Sequence, residues 1–331
     1  MARRFGHNAV VDVGGIVLAG GAGSRMRPLT DDCPKPLLPL GPEPLVGYQL
    51  RRLAAAGVRD VVVSTGYLAD RFATTLGDGS RWGLRLVYCV ETEPLGTGGA
   101  LRAAIDLLPG VDRVVVLNGD LLSSHDLTAH LQSAGSAGAC LHVRPVPDVS
   151  AYGKVTCDED GRVREFVEKS GSGPGLANAG TYVVAAGLLR ALPVGRSSWE
   201  RDLLPALIGS GTEVRAWRGD GYFRDVGSPS SYRMASVDAV TGALPGALSA
   251  DPDAWVAADA SVDPAARLTG GCSVQSGVVV EAAELDEVVL LPRARVGAGA
   301  ELARCVVAEG VTVPAGTVAS DIVLDGELTD Q

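Results

Sequence analysis

Gly20, Gly21 and Gly23 follow a short apolar run, Ile16 to Ala19, and precede Ser24, Arg25, Arg27 and Lys35. Glycines at this spacing let the backbone take conformations that a Cβ forbids, and let it approach a ligand closely. A turn of that kind aims several N–H groups at one point, which suits phosphate oxygens. The arginines and the lysine add fixed positive charge where a polyphosphate would otherwise repel itself. A Gly-x-Gly alone carries no chemistry, and two specific phosphate loops do not fit. A dinucleotide fingerprint needs its third glycine to open a helix, but here Met26, Arg27 and Pro28 intervene. A P-loop needs Gly-Lys-Ser/Thr, which is absent. A second candidate is Asp120, just beyond the apolar run Val114 to Leu117. A carboxylate there lies at the C-terminal edge of a strand, where open α/β sheets bind ligands. It is either a helix cap or, with a phosphate loop upstream, a ligand for Mg²⁺.

The whole string Gly20, Gly21, Gly23, Ser24, Arg25, Met26, Pro28, Leu29, Thr30, Lys35 and Pro36 fixes eleven positions within seventeen residues. It resembles the signature of the sugar-phosphate nucleotidylyltransferases, also called nucleotide-sugar pyrophosphorylases. Further matches are Glu91 through Thr97, Gly119-Asp120, Tyr152-Gly-Lys-Val155, Glu168-Lys169, Asn178-Ala-Gly-Thr-Tyr182 and Asp225 with Gly227. Ser170 stands where the family has proline. The Glu-x-x-Pro-Leu-Gly-Thr segment is most similar to the mannose- and heptose-1-phosphate guanylyltransferases.

The resemblance implies a reaction: a nucleoside monophosphate passes from an NTP to a sugar-1-phosphate or a sugar-like cyclitol phosphate, and pyrophosphate leaves. It places Leu18, Ala19, Gly20, Gly21, Gly23, Ser24 and Arg25 at the nucleotide, with Glu91, Gly96 and Thr97 around its base. It gives Asp120 and Asp225 the Mg²⁺ ion, and Arg25, Lys35 and Lys169 the charge of the reacting phosphates. Gly153, Glu168, Lys169, Asn178 and Glu200 fall on the acceptor, while Asp202 is structural. At the base, an ionised Glu91 only accepts hydrogen bonds. Guanine offers two adjacent donors, thymine and uracil one donor between two carbonyls, so Glu91 favours GTP over dTTP, UTP or ATP. A catalytically silent regulatory relative is the rival from another class.

These residues need a scaffold, and 331 residues suffice for two domains. Short β-rich runs alternate with amphipathic stretches from Gly15 to Val115, the pattern of a mostly parallel sheet. The fold expected is α/β, a Rossmann-like mixed sheet flanked by helices and similar to glycosyltransferase-A folds. Helices are expected over Pro44–Ala56, with Leu45, Tyr48, Leu53 and Ala56 inward, over Tyr67–Leu76, and from Ala100 to Leu108. Residues 1–14 read as a leader, 15–240 as the catalytic domain and 241–254 as a linker. Over 255–326, Val256, Val262, Leu268, Val274 and Val280 step by six, and Leu290, Val296 and Leu302 resume after a slip. That spacing predicts a left-handed parallel β-helix. It holds no histidine, which disfavours a hexapeptide acyltransferase, and its open end suggests a homo-oligomer.

A net charge of −10 argues against a nucleic-acid or anionic-membrane surface. No apolar run reaches the length of a membrane span. The six cysteines are scattered without a Cys-x-x-Cys, which fits a reducing cytoplasm.

Overall fold

Strand β1 (Val13–Leu18) is buried along most of its length because parallel neighbours cover both edges and helices cover both faces. The computed structural model of the chain describes residues 12–246 and 251–326. After β1 come a small hairpin, β2 (Pro39–Leu40) and β3 (Glu43–Pro44), then α1 (Leu45–Ala55), β4 (Asp60–Thr65), α2 (Ala69–Leu76) and β5 (Arg85–Val90). Next are α3 (Gly96–Ile105), β6 (Arg113–Asn118), β7 (Leu121–Ser123) and α4 (Leu127–Ser133). The second half adds β8 (Ala139–Val146), β9 (Gly153–Cys157), β10 (Val163–Glu168), β11 (Gly175–Ala185) and α5 (Ala186–Arg190). It closes with α6 (Leu204–Gly209), β12 (Val214–Arg218), β13 (Phe223–Asp225) and α7 (Pro229–Thr241).

The main sheet runs β10-β9-β11-β6-β1-β4-β5, with β8 pairing β11 and β12. Strands β1, β4, β5 and β6 are parallel, and β11 joins β6 antiparallel. The valine-rich runs of β4 and β6 suit strands covered on both faces. Strand β11 changes partner along its length, and its pairing with β8 is irregular between Asn178 and Tyr182.

Several expected boundaries move, each for a packing reason. The strand read as Ile16–Ala19 starts at Val13, inside the segment read as leader, because Val13 and Gly14 pair with Arg113 and Val114. Residues 1–11 of that leader lie outside the described residues, as do 247–250 of the linker. Helix α1 turns Val46, Gln49 and Leu50 inward with Leu45 and Leu53, and Tyr48 and Ala56 stay half-buried. Helix α3 starts at Gly96, not after Ala100. Its glycines are dictated by the segment 195–203, since a Cβ at Gly98 or Gly99 would lie 2.4 Å from Leu203 Cδ1 or Gly195 O.

Residues 254–324 form three parallel sheets with strands of two or three residues, stacked coil on coil as a parallel β-helix. The slip after Val280 is two successive five-residue steps, through Leu285 to Leu290, and all three side chains are buried. Val256 belongs to the first coil and stays exposed. The solenoid shares an apolar core with the main domain. Val289, Leu291 and Val306 pack with Met26, Leu29, Leu38, Val226 and Tyr232. Arg233 of α7 pairs with Glu287, and the Tyr232 hydroxyl donates to Pro39 O. The segment following the glycine turn is therefore braced by the solenoid.

Three histidines scattered in sequence meet behind the sheet: His125, His130 and His142 surround Trp217, with His125 and His142 ring centroids 3.8 Å apart. Burial pushes His130 down to about 4 and His142 down to about 3. Burial and then the Arg52 charge push His125 lower still. All three are neutral when folded and regain a pKa near 6.5 when unfolded. The unfolded chain then binds more protons on acidification, so stability is lost as pH falls from about 6.5 towards 3, by up to ~1.4 kcal/mol per pH unit per histidine. Urea midpoints measured from pH 7.5 to 4.5 are expected to fall less steeply in His142→Gln than in the parent. Parallel slopes would refute the role of the cluster.

Candidate active site

The C-terminal ends of β1, β4 and β6 are tied edge to edge. Ala19 N–H donates to Ser64 O and Gly119 N–H donates to Leu18 O, both at 2.8 Å. Gly20 to Gly23 leave the sheet there. A Cβ at Gly20 would lie 2.9 Å from Glu91 Oε1, so the bare backbone is what admits the Glu91 carboxylate. Gly23 has φ +61° and its carbonyl accepts from Met26 N–H (2.8 Å) and Thr30 Oγ1 (3.1 Å). The single turn Ser24–Met26 buries Met26 and leaves Arg25 exposed.

A cleft of about 650 Å³ opens over this edge. Leu18, Ala19, Gly20, Gly21 and Gly23 form one wall. Glu91, Gly96 and Thr97 form another, and Lys35, Asn118 and Asp120 lie at its floor. Glu91 Oε1 accepts from Ser64 Oγ (3.0 Å) and Oε2 from Leu95 N–H (2.9 Å). These bonds orient the carboxylate and leave each oxygen further acceptor capacity. Gly96 has φ +71°, and a Cβ there would lie 2.5 Å from Ser197 O. The Thr97 hydroxyl donates to Glu200 Oε2 (2.6 Å) and accepts from Trp199 N–H (2.8 Å), so its donor is engaged within the protein.

Asp120 and Asp225 are brought together by a short strand pair. Asp225 of β13 sits opposite Leu121 of β7, and Val226 N–H donates to Asp120 O at 3.1 Å. Lys35 Nζ lies 2.5 Å from Asp120 Oδ2. Asp225 is exposed on one side, with protein crowding the rest of it. That crowding, and next the negative charge of Asp120, push its carboxyl above the usual range, while Lys35, Arg25 and Lys169 pull it back. The expected cation Arg27 is not among these; it pairs with Asp31 at 3.1 Å, where both side chains are exposed.

The acceptor-side residues also converge. Gly153 pairs with Glu168 across the β9–β10 hairpin, and a Cβ at Gly153 would lie 2.5 Å from the Phe166 ring. Asn178 Nδ2 donates to the Tyr182 hydroxyl (2.7 Å), which donates to Glu200 Oε1 (3.2 Å). Burial, then the facing Glu200 charge, raise the Glu168 carboxyl. Lys169 has φ +48°, a backbone state costing about 1–2 kcal/mol for a residue with a Cβ. Its ammonium lies 3.8 Å from Glu168 Oε1. Asp202 Oδ2 accepts from Ser198 N–H (2.7 Å), closing the turn before α6. Tyr182 was legible only as a motif residue; its hydroxyl links Asn178 to Glu200.

Among the described residues no group of three or more His, Cys, Asp and Glu has the arrangement of a metal cage. Two carboxylates near enough to repel each other instead suit a divalent cation that one or two carboxylates share with phosphate oxygens and water. The residues present therefore fit a divalent metal.

Residues 14–241 match the nucleotidyl transferase family, and residues 253–327 match the GlmU-like C-terminal hexapeptide family. The chain belongs to the nucleotidyl transferase family. The likeness to sugar-phosphate nucleotidylyltransferases read from residues 20–36 is borne out. This nucleotidyltransferase is 37% identical to a mannose-1-phosphate guanylyltransferase of Mycobacterium tuberculosis, over 94% of this chain and 84% of that protein. It is 31% identical to mannose-1-phosphate guanylyltransferase 1 of Arabidopsis thaliana, over 90% and 82%. The structure of HddC from Yersinia pseudotuberculosis complexed with GMP-PN superposes with a TM-score of 0.59 at 30% identity, covering 67% of this chain and 97% of that one.

Removing the Tyr182 hydroxyl tests the acceptor wall. Tyr182→Phe leaves a donor of Asn178 and an oxygen of Glu200 without their partner, at a cost of about 1–3 kcal/mol. Steady-state kinetics are expected to show a higher KM for the acceptor and an unchanged KM for the nucleotide. A change confined to the nucleotide would contradict the placement.

Proposed function

We propose that this enzyme transfers GMP from GTP to mannose-1-phosphate or a closely related sugar-1-phosphate, releasing pyrophosphate and forming a GDP-sugar. The observation that carries the reading is the meeting of Asp120 and Asp225 with Lys35, Arg25 and Lys169, between the glycine turn on one side and Glu168, Asn178 and Glu200 on the other. An oxygen of the acceptor phosphate attacks the α-phosphorus, a P–O bond forms, and the bond from the α-phosphorus to the β-bridging oxygen breaks. The nucleophile is already anionic, so no general base is required and the task is positioning and charge neutralisation. The backbone of residues 20–23 and Arg25 hold the β- and γ-phosphates. Lys35 and Lys169 flank the reacting phosphates and offset their mutual repulsion. Asp120 and Asp225 would hold Mg²⁺, which when bound would supply charge stabilisation to the reacting phosphates.

Glu91 supports guanine as the base. Its carboxylate is fixed by Ser64 and Leu95 and offers acceptors only, matching the two adjacent donors of guanine. The guanylyltransferase names of the relatives, and the GMP-PN bound to HddC, point the same way. Glu168, Asn178 and Glu200 suit sugar hydroxyls. All six cysteines are free thiols, which supports the cytoplasm, and no described helix is long and apolar enough to cross a membrane. Val318 and Ile322, exposed on the last coil, support assembly into a homo-oligomer through the solenoid.

Pyrophosphate release measured with five NTPs and several sugar-1-phosphates tests the reading. GTP with mannose-1-phosphate is the expected best pair, and a preference for dTTP or UTP would overturn it. Asp120→Asn is expected to lower turnover about 10²–10³-fold while the protein stays folded. Near-normal turnover at saturating Mg²⁺ would contradict the metal role. Glu91→Gln is expected to weaken GTP more than dTTP; equal effects on both would remove the case for guanine.

A further inference from the structure

Asp120 sits on a turn with little secondary structure of its own, between β6 and the three-residue β7. Two backbone bonds hold it: Gly119 N–H to Leu18 O at 2.8 Å, and Val226 N–H to Asp120 O at 3.1 Å. The two carbonyls that bracket the turn, Asn118 O and Leu121 O, both accept from one side chain. That donor is Gln49 Nε2, 3.5 Å from Asn118 O and closer to Leu121 O. Gln49 lies on the face of α1 that otherwise presents Leu45, Val46, Leu50 and Leu53 to the core, and it is 1% exposed.

A buried amide is costly unless its polar atoms are paired. Gln49 satisfies that condition fully. Its Oε1 accepts from Arg52 Nη1 at 2.8 Å, which fixes which end of the amide faces the turn. Arg52 is anchored in turn by the His125 ring, 3.0 Å from its Nη2. An apolar residue of similar length would fill the same space and leave both carbonyls without a side-chain donor. The amide is thus placed by the need to hold this turn, since packing alone would be served by leucine or methionine.

We propose that Gln49 is a positioning residue for the Asp120 carboxylate, and that Arg52 orients Gln49 for this task. The inference rests on the reading of Asp120 as a metal ligand. Groups that support a ligand from behind typically alter metal affinity about 10–100-fold when removed.

The test uses the full-length chain with Mn²⁺ as the probe, its binding followed by electron paramagnetic resonance in the presence of GTP. Gln49→Met is expected to weaken Mn²⁺ about tenfold and to lower kcat, with KM for the sugar phosphate unchanged. Leu53→Ala, on the same buried helix face, is expected to lower the urea midpoint and leave Mn²⁺ affinity at the parent value. Arg52→Met retains the Gln49 amide but removes the donor that orients it, and is expected to give a smaller loss of Mn²⁺ affinity, which preserves the test if Gln49→Met fails to fold. Parent-like Mn²⁺ affinity in Gln49→Met, or in Arg52→Met where the first variant does not fold, would overturn the proposal. Asp120→Asn separates the two levels. If it weakens Mn²⁺ and Gln49→Met does not, the positioning role fails alone; if it leaves Mn²⁺ binding intact, the metal assignment fails.

Discussion

The pairing of β7 with β13 brings the carboxylates of Asp120 and Asp225 near enough to repel each other, and cations from three parts of the chain oppose that repulsion. Asp225 is raised by crowding and by Asp120, and three cations oppose the rise. Each cation comes from a different part of the chain: Arg25 from the glycine turn, Lys35 from the segment after it, and Lys169 from the end of the β9–β10 hairpin. Of the three, Lys35 pairs directly with Asp120, 2.5 Å away. The backbone at Lys169, at the end of the β9–β10 hairpin, is left-handed, with φ +48°.

The two walls of the cleft are joined by polar contacts rather than by apolar packing alone. Thr97, at the start of α3, bonds Glu200, which bonds Tyr182, which bonds Asn178 of β11. The glycines at 96, 98 and 99 let the segment 195–203 come close enough for this chain of contacts. On the far side, Met26 and Leu29 share a core with Val289, Leu291 and Val306 of the solenoid. The glycine turn is therefore supported by the solenoid, which contributes no group to the cleft among the described residues.

Features encoded by adjacent residues were legible in the sequence. The glycine turn, the valine-rich strands and the six-residue step of the solenoid each arise from a local pattern, and the structure keeps them. Features set by distant partners were not legible. Gly96, Gly98 and Gly99 read as a loop because the carbonyls they accommodate lie about a hundred residues on. Thr97 matched a nucleotide-binding motif, yet its donor is drawn to Glu200. Arg27 reads as part of a cation cluster in the sequence, but in the structure it pairs with Asp31. Gln49 had no signal beyond a polar residue on an apolar helix face, which is the kind of local conflict that marks a special role. The nearness of Asp225 to Asp120 came from a family likeness alone, since no periodicity links residues 105 apart.

The most direct measurement is the anomalous diffraction of Mn²⁺ in crystals of the full chain grown with GTP. A single manganese peak coordinated by the carboxylates of both Asp120 and Asp225, with nucleotide phosphate completing its shell, is the expected result. Manganese bound to the nucleotide and to neither carboxylate, with Lys35 still paired to Asp120, would contradict the central claim.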